Sequence, residues 1–267
     1  KNLVVRAIGS SGPGPEWRAW QRDVTGAVVR DVALAAGLDA PTGVSFRTDN
    51  KFLLAARTRE LLVWNLETGA IANNFPSEVG TSTYTANTRF SPDGRTFGYL
   101  GSDRVLHICD FPSGTERYVC RGTERDSLTV TWRFSPDGRR IVSGGDFGGV
   151  YIWDASDGRL LAGVDHHRDT VYLGFFFSDG RRFTSHSWDG TVQIWDATMA
   201  RPMGPVLKHS NAVQFAAFSP DGRRLVTGTA DGYVRVWDIT TGQPLTEPMR
   251  HDRGTQQLPL CRRPVDH

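Results

Sequence analysis

Lysine is almost missing from this 267-residue chain: it occurs only as Lys1, Lys51 and Lys208, against 28 arginines. The arginines are spread along the chain with no basic block, and the formal net charge is only +2. A nucleic-acid groove needs clustered cations to neutralise phosphates, so this pattern argues against a nucleic-acid partner. Cysteine is equally scarce. Cys109, Cys120 and Cys261 show no C-x-x-C spacing, and their odd number completes no disulfide framework, which points to a reduced, cytoplasmic setting. No apolar run reaches the ~18 residues of a membrane span, and no charged-then-apolar leader opens the sequence, so no membrane partner is expected.

What the chain does have is a repeated phrase. Phe90-Ser91-Pro92-Asp93-Gly94-Arg95 returns as Phe134-Ser135-Pro136-Asp137-Gly138-Arg139 and as Phe218-Ser219-Pro220-Asp221-Gly222-Arg223. Worn copies stand at Phe46-Arg47-Thr48-Asp49-Asn50-Lys51 and at Phe176-Phe177-Ser178-Asp179-Gly180-Arg181. The leading phenylalanines are separated by 44, 44, 42 and 42 residues. A period of roughly 40–45 residues marks the blade of a β-propeller, a unit that cannot bury its faces alone. Each repeat reads as four strands. In the best copy these are Ala212 to Phe218, Arg224 to Gly228, Tyr233 to Trp237 and Pro244 to Met249, divided by Pro-Asp-Gly, Asp-Gly and Thr-Gly turns.

The third strands end in Val63-Trp64-Asn65, Ile108-Cys109-Asp110, Ile152-Trp153-Asp154, Ile194-Trp195-Asp196 and Val236-Trp237-Asp238. In this the chain resembles the WD-repeat family of β-propellers, over about residues 41–251. The expected fold is all-β: a single propeller over 1–267 made of four-stranded antiparallel blades, at about 41–75, 84–121, 128–164, 170–207 and 212–249. Residues 1–33 would supply three strands of a partial sixth blade, interrupted by a loop at Ser10 to Pro15. The resemblance implies that residues 251–260, through Gln256 to Leu260, complete this blade and close the ring, with 261–267 as a tail. The rival reading is a segment of a longer array. The arginine-rich repeats look like those of bacterial WD-repeat proteins, which often carry a protein kinase or another signalling domain.

Two sets of polar residues share identical spacings: His167, Ser185, Asp189 and Trp195, and His209, Thr227, Asp231 and Trp237. Serine, histidine and aspartate together suggest a hydrolase triad. A catalytic set would occur once, however, and no G-x-S-x-G elbow accompanies this one. The resemblance instead implies a structural chain in which Asp accepts from His, His reaches Ser or Thr, and that hydroxyl reaches the indole. The set wears away elsewhere: Arg125 replaces the histidine before Ser143 and Trp153, and Tyr99 and Cys109 stand where Ser and Trp would be. Asp165-His166-His167 has no third or fourth ligand at a metal-site spacing, so neither metal nor cofactor is expected. Gly9 to Gly14 lacks the Lys-Ser/Thr of a phosphate loop, and Asp146-Phe147-Gly148 has no catalytic loop beside it.

Large residues where a turn should be small are more informative. Trp188 precedes Asp189 where the neighbouring repeat has Ala230. The resemblance puts that position on the narrow face of the ring, with Phe147, Arg125, Arg168, His186 and Asn211 around the same rim. An exposed tryptophan there is a candidate anchor for a partner. Tyr151 and Tyr233 read as packing between blades. The expected function is a non-enzymatic, monomeric scaffold that docks other proteins or peptides on the narrow face. The alternatives are a small-ligand sensor at the central channel and, least favoured, a channel-mouth hydrolase.

Overall fold

The computed structural model describes residues 2–8, 16–22, 28–33, 43–57, 60–76, 88–122, 128–177, 179–199 and 201–250. The chain divides into two compact units, Lys1–Arg121 and Gly122–His267. All regular structure among the described residues is β-strand. No helix there is long and apolar enough to cross a membrane.

The first unit holds a three-stranded antiparallel sheet (Asn2–Ile8, Glu16–Arg22, Val28–Ala33) and two four-stranded sheets. Blade one comprises Gly43–Phe46, Phe52–Arg57, Glu60–Asn65 and Ile71–Pro76. Blade two comprises Arg89–Phe90, Thr96–Leu100, Leu106–Asp110 and Glu116–Cys120. The second unit holds three further four-stranded sheets. Blade three is Leu128–Phe134, Arg140–Gly145, Gly149–Asp154 and Leu160–Asp165. Blade four is Val171–Phe176, Arg182–Ser187, Thr191–Asp196 and Arg201–Lys208. Blade five is Val213–Phe218, Arg224–Thr229, Tyr233–Asp238 and Met249–Arg250. All five sheets run antiparallel in strict chain order, the blade pattern of the propeller fold class.

Packing explains the strand sequences. In blade three, Val142, Val150 and Ile152 lie against Val171, Leu173 and Phe183 of blade four. Val192 and Leu207 of blade four meet Val213, Ala216 and Leu225 of blade five. In the first unit, Leu54 and Val63 pack on Phe90 and Phe97. The second and third strands of blades three and four are therefore buried on both faces, whereas the outer strand Arg201–Lys208 is exposed at every residue but Leu207. Each fully buried Val, Leu, Ile or Phe contributes about 1.5–3 kcal/mol, and no single sheet could bury both its faces alone.

The repeated hexapeptide forms the turn between first and second strands. Gly138 N donates to the Ser135 carbonyl at 2.9 Å, the Ser135 hydroxyl donates to Asp137 at 2.5 Å, and Asp137 accepts from the Arg139 amide at 3.0 Å. Ser91–Asp93 and Ser219–Asp221 repeat this pattern. Gly94, Gly138 and Gly222 take φ of 68, 71 and 64°, which a side chain resists. In the worn copy Asn50 holds that place at φ 59°, and the Lys51 amide still donates to Asp49 at 3.0 Å.

The outer strand of blade five differs from the Pro244 to Met249 expected. Only Met249–Arg250 pairs as a strand, with an isolated bridge at Pro244. Pro244 and Pro248 have no N–H to donate, so a continuous ladder cannot form. The Ser10 to Pro15 loop, the closing segment 251–260 and the tail 261–267 lie outside the described residues.

Candidate functional site: the turn-bearing face of the second unit

The site is built on buried hydrogen-bond chains that fix its turns. In blade four the Trp195 indole donates to Ser185 Oγ at 2.7 Å, and Ser185 lies 2.7 Å from His167 Nε2. His167 Nδ1 is 2.7 Å from Thr191 Oγ1, and the Thr191 hydroxyl donates to Asp189 Oδ1 at 2.6 Å. The direct His167–Asp189 separation is 3.6 Å. The expected His-to-Asp hydrogen bond is therefore corrected: Thr191 relays it. Proton directions follow from the ends, since an indole only donates and a carboxylate only accepts. Thr191 spends its hydrogen on Asp189, so it accepts from His167 Nδ1–H. His167 Nε2 then accepts from the Ser185 hydroxyl, which assigns the tautomer.

Ser185 is 0% exposed, so its hydroxyl cannot meet a substrate as a triad nucleophile would. Burial pushes the His167 imidazole down to about 4 against partial compensation by Asp189, so it stays neutral. Asp189 also accepts from the Arg168 amide (2.8 Å) and the Thr191 amide (2.8 Å). Partial burial acts in the opposite direction, but these donors together hold its carboxyl below the usual range.

In the other sheets this chain is incomplete. In blade five Trp237 donates to Thr227 at 2.8 Å, and Thr227 lies 2.8 Å from His209 Nε2. Tyr233 takes the place of Thr191, and Asp231 accepts instead from Thr229 at 2.5 Å. Among the described residues no hydrogen bond joins His209 to Asp231. In blade three the described residues show the Trp153 indole donating to Ser143 at 3.0 Å. In blade one the buried Trp64 indole N–H has no acceptor among the described residues. Blade two carries a different polar cluster that the sequence reading missed. His107 Nδ1 lies 2.6 Å from Glu116 and Nε2 lies 3.3 Å from Asp103, under the stacked ring of Tyr99 at 4.9 Å.

His166, considered above for metal binding, donates through Nε2 to Gln193 at 3.1 Å. Among the described residues no three His, Cys, Asp or Glu side chains converge on a point that could hold a metal ion.

The turns between second and third strands are tied both to the loop that enters their own blade and to the loop that enters the next. The His166 and His167 amides donate to the Gly148 carbonyl at 3.2 and 3.1 Å, and Trp188 N donates to the Thr170 carbonyl at 3.3 Å. His209 N donates to the Gly190 carbonyl at 2.8 Å and Ala230 N to Ala212 at 2.9 Å. Phe147 is 70% and Trp188 44% exposed on this face, Trp188 leaning on the Tyr172 ring at 5.9 Å. Arg168 and Asn211 are also exposed, and Asn211 Oδ1 accepts from the Ala212 amide.

His186 is a correction. It is 5% exposed, inside the sheet and stacked on Tyr172 at 5.9 Å, because the second strand of a blade is covered on both faces. Burial lowers it to about 3. Tyr151 is buried beside Trp153 and Gly163 of its own sheet, and Tyr233 is 37% exposed. Arg125 lies outside the described residues.

Sheets in this order, with indole–hydroxyl–imidazole chains inside them, define a class of repeat, and the comparisons agree. The family described as "WD domain, G-beta repeat" matches three stretches of the chain, residues 114–154, 157–196 and 203–238.

Among individual relatives, the Serine-threonine kinase receptor-associated protein of Dictyostelium discoideum is 29% identical over 113 residues, 42% of this chain and 36% of that protein. The Apoptotic protease-activating factor 1 of Rattus norvegicus is 30% identical over 113 residues, 42% of this chain and 9% of that protein. The Meiotic recombination protein rec14 of Schizosaccharomyces pombe is 29% identical over 179 residues, 64% of this chain and 56% of that protein. The chain thus spans less than two thirds of each relative's length. All three are eukaryotic proteins, which lends the bacterial likeness no support.

Proposed function

We propose that this protein is a non-enzymatic scaffold that docks other proteins or peptides on the turn-bearing face of the Gly122–His267 unit. By its resemblance this is the narrow face of a monomeric cytoplasmic ring, the interaction part of a larger signalling protein. One observation carries the reading. Phe147 and Trp188 stand exposed on neighbouring turns whose backbones are already held by buried hydrogen bonds. Aromatic side chains on pre-ordered turns lose little entropy on binding and supply most of an interface's affinity. WD repeats are typical of interaction scaffolds, and the name of one relative, a receptor-associated protein, is in keeping with this use.

The test is selection of a random-peptide phage library on the immobilised full chain, repeated on Phe147→Ala and Trp188→Ala. We expect enriched clones that lose binding on both variants, with thermal melts of the variants close to that of the parent. Enrichment indifferent to both substitutions, or no enrichment, overturns the proposal.

A further inference from the structure

The 166–170 loop runs between the two turns that carry the exposed aromatics. On one side it is fastened to Gly148, where an added Cβ would strike the His167 carbonyl and lie 3.4 Å from the Arg168 amide nitrogen. On the other, that amide donates to Asp189 at 2.8 Å. Phe147 precedes Gly148 and Trp188 precedes Asp189, so Arg168 sits between one aromatic and the other. Its side chain is exposed, and among the described residues it forms no ion pair.

Among the described residues neither neighbouring carboxylate, Asp169 or Asp189, pairs with it. Asp189 accepts from Thr191 and from two backbone amides, and Asp169 accepts from the Thr170 amide at 2.7 Å. Arg168 thus offers an exposed guanidinium fork on a loop whose backbone is fastened beside the two turns that carry Phe147 and Trp188.

We propose that this strip receives an acidic, apolar peptide segment of a partner protein, with one of its carboxylates on Arg168 and apolar side chains against Phe147 and Trp188. The proposal rests on the reading of this face as a docking surface and adds the chemistry of the occupant. A guanidinium pairs with a carboxylate through two parallel N–H···O bonds. Aromatic flanks that exclude water strengthen such a pair relative to an open surface. A phosphorylated segment would call for a second cation, yet the next base along the loop, His167, is buried and neutral.

The experiment sorts the same peptide library on the full chain, on Arg168→Gln and on Arg168→Glu. Clones from the parent should be enriched in Asp or Glu flanked by apolar residues. A synthetic peptide from such a clone should bind Arg168→Gln about fivefold more weakly, in line with about 1 kcal/mol for a partly exposed pair. Its Glu-to-Gln analogue should lose the same factor on the parent and nothing further on Arg168→Gln. Arg168→Glu should instead select clones bearing Lys or Arg.

If clones depend on Phe147 and Trp188 but show no excess of carboxylates, or bind Arg168→Glu unchanged, the acidic partner is refuted and the docking face stands. If no clones depend on either aromatic, the face itself is refuted. Equal affinity for the carboxylate peptide and a phosphoserine version would also count against the carboxylate assignment.

Discussion

The hydroxyl of Thr191 stands between His167 and Asp189, 2.7 Å from the imidazole nitrogen and 2.6 Å from the carboxylate. Replacing it with valine keeps the shape and removes both links, leaving a buried imidazole N–H without an acceptor. Thr191→Val should therefore lose about 1–3 kcal/mol, read as a lower urea midpoint at unchanged slope. Thr191→Ser should retain most of that stability. Equal midpoints for Thr191→Val and the parent would show that the relay contributes nothing.

Acid should weaken the fold before its carboxylates titrate. Burial holds His167 and His209 at about 4 and His186 at about 3, against 6.5 for the free side chain. These bases stay neutral in the fold while the unfolded chain takes up protons. Stability is therefore fully present above the unfolded value and is lost as pH falls from 6.5 toward about 4. Urea midpoints should drop between neutral pH and about pH 5. His186→Phe, which keeps a ring against Tyr172, should flatten that dependence. An unchanged slope in the variant would rule out His186 as a contributor.

Trp64 offers a place to gain stability. Its indole N–H is buried at 3% exposure with no partner among the described residues, and the register sets Ala55 opposite Leu62 where Ser143 faces Tyr151 in blade three. Ala55→Ser supplies the missing acceptor and should raise the unfolding free energy by about 1 kcal/mol. A fall would mean that the added hydroxyl is not reached by the indole.

Gly222 should tolerate no side chain. It sits at φ 64°, and a Cβ there would run into the Phe177 ring of blade four. Gly222→Ala should cost about 1–2 kcal/mol from the left-handed backbone alone and more from the clash. Pairing it with Phe177→Ala in a double-mutant cycle should return part of the loss. Simple additivity would locate the cost in the backbone alone.

The hexapeptide made the blades legible because its Ser, Asp and Gly each hold one part of the same turn, and even Asn50 could be read as a stand-in for glycine. The polar chains were legible as spacings, since His167 and His209 each precede their hydroxyl partner by 18 residues. Thr191 was overlooked because it lies two places past the motif aspartate and Tyr233 replaces it in the next blade. The signal that would have found it is the hydroxyl after Asp189-Gly190. Counting back from Trp64 misleads by one residue, because Arg57 pairs directly with Glu60 in a shorter hairpin. His186 was misplaced for a different reason. In a strand covered on both faces, alternation no longer separates inside from outside.

The repeat matched at 157–196 starts with the outer strand of blade three and ends with the third strand of blade four, and the one at 203–238 is offset in the same way. Loss of one repeat would strip the edge from one sheet and the heart from the next, as in brickwork where each course bridges the joint below. Damage in the Gly122–His267 unit therefore cannot stay within a single sheet. Its sheets should come apart together, and whole-repeat insertion is the length change that leaves every sheet with its full complement of strands.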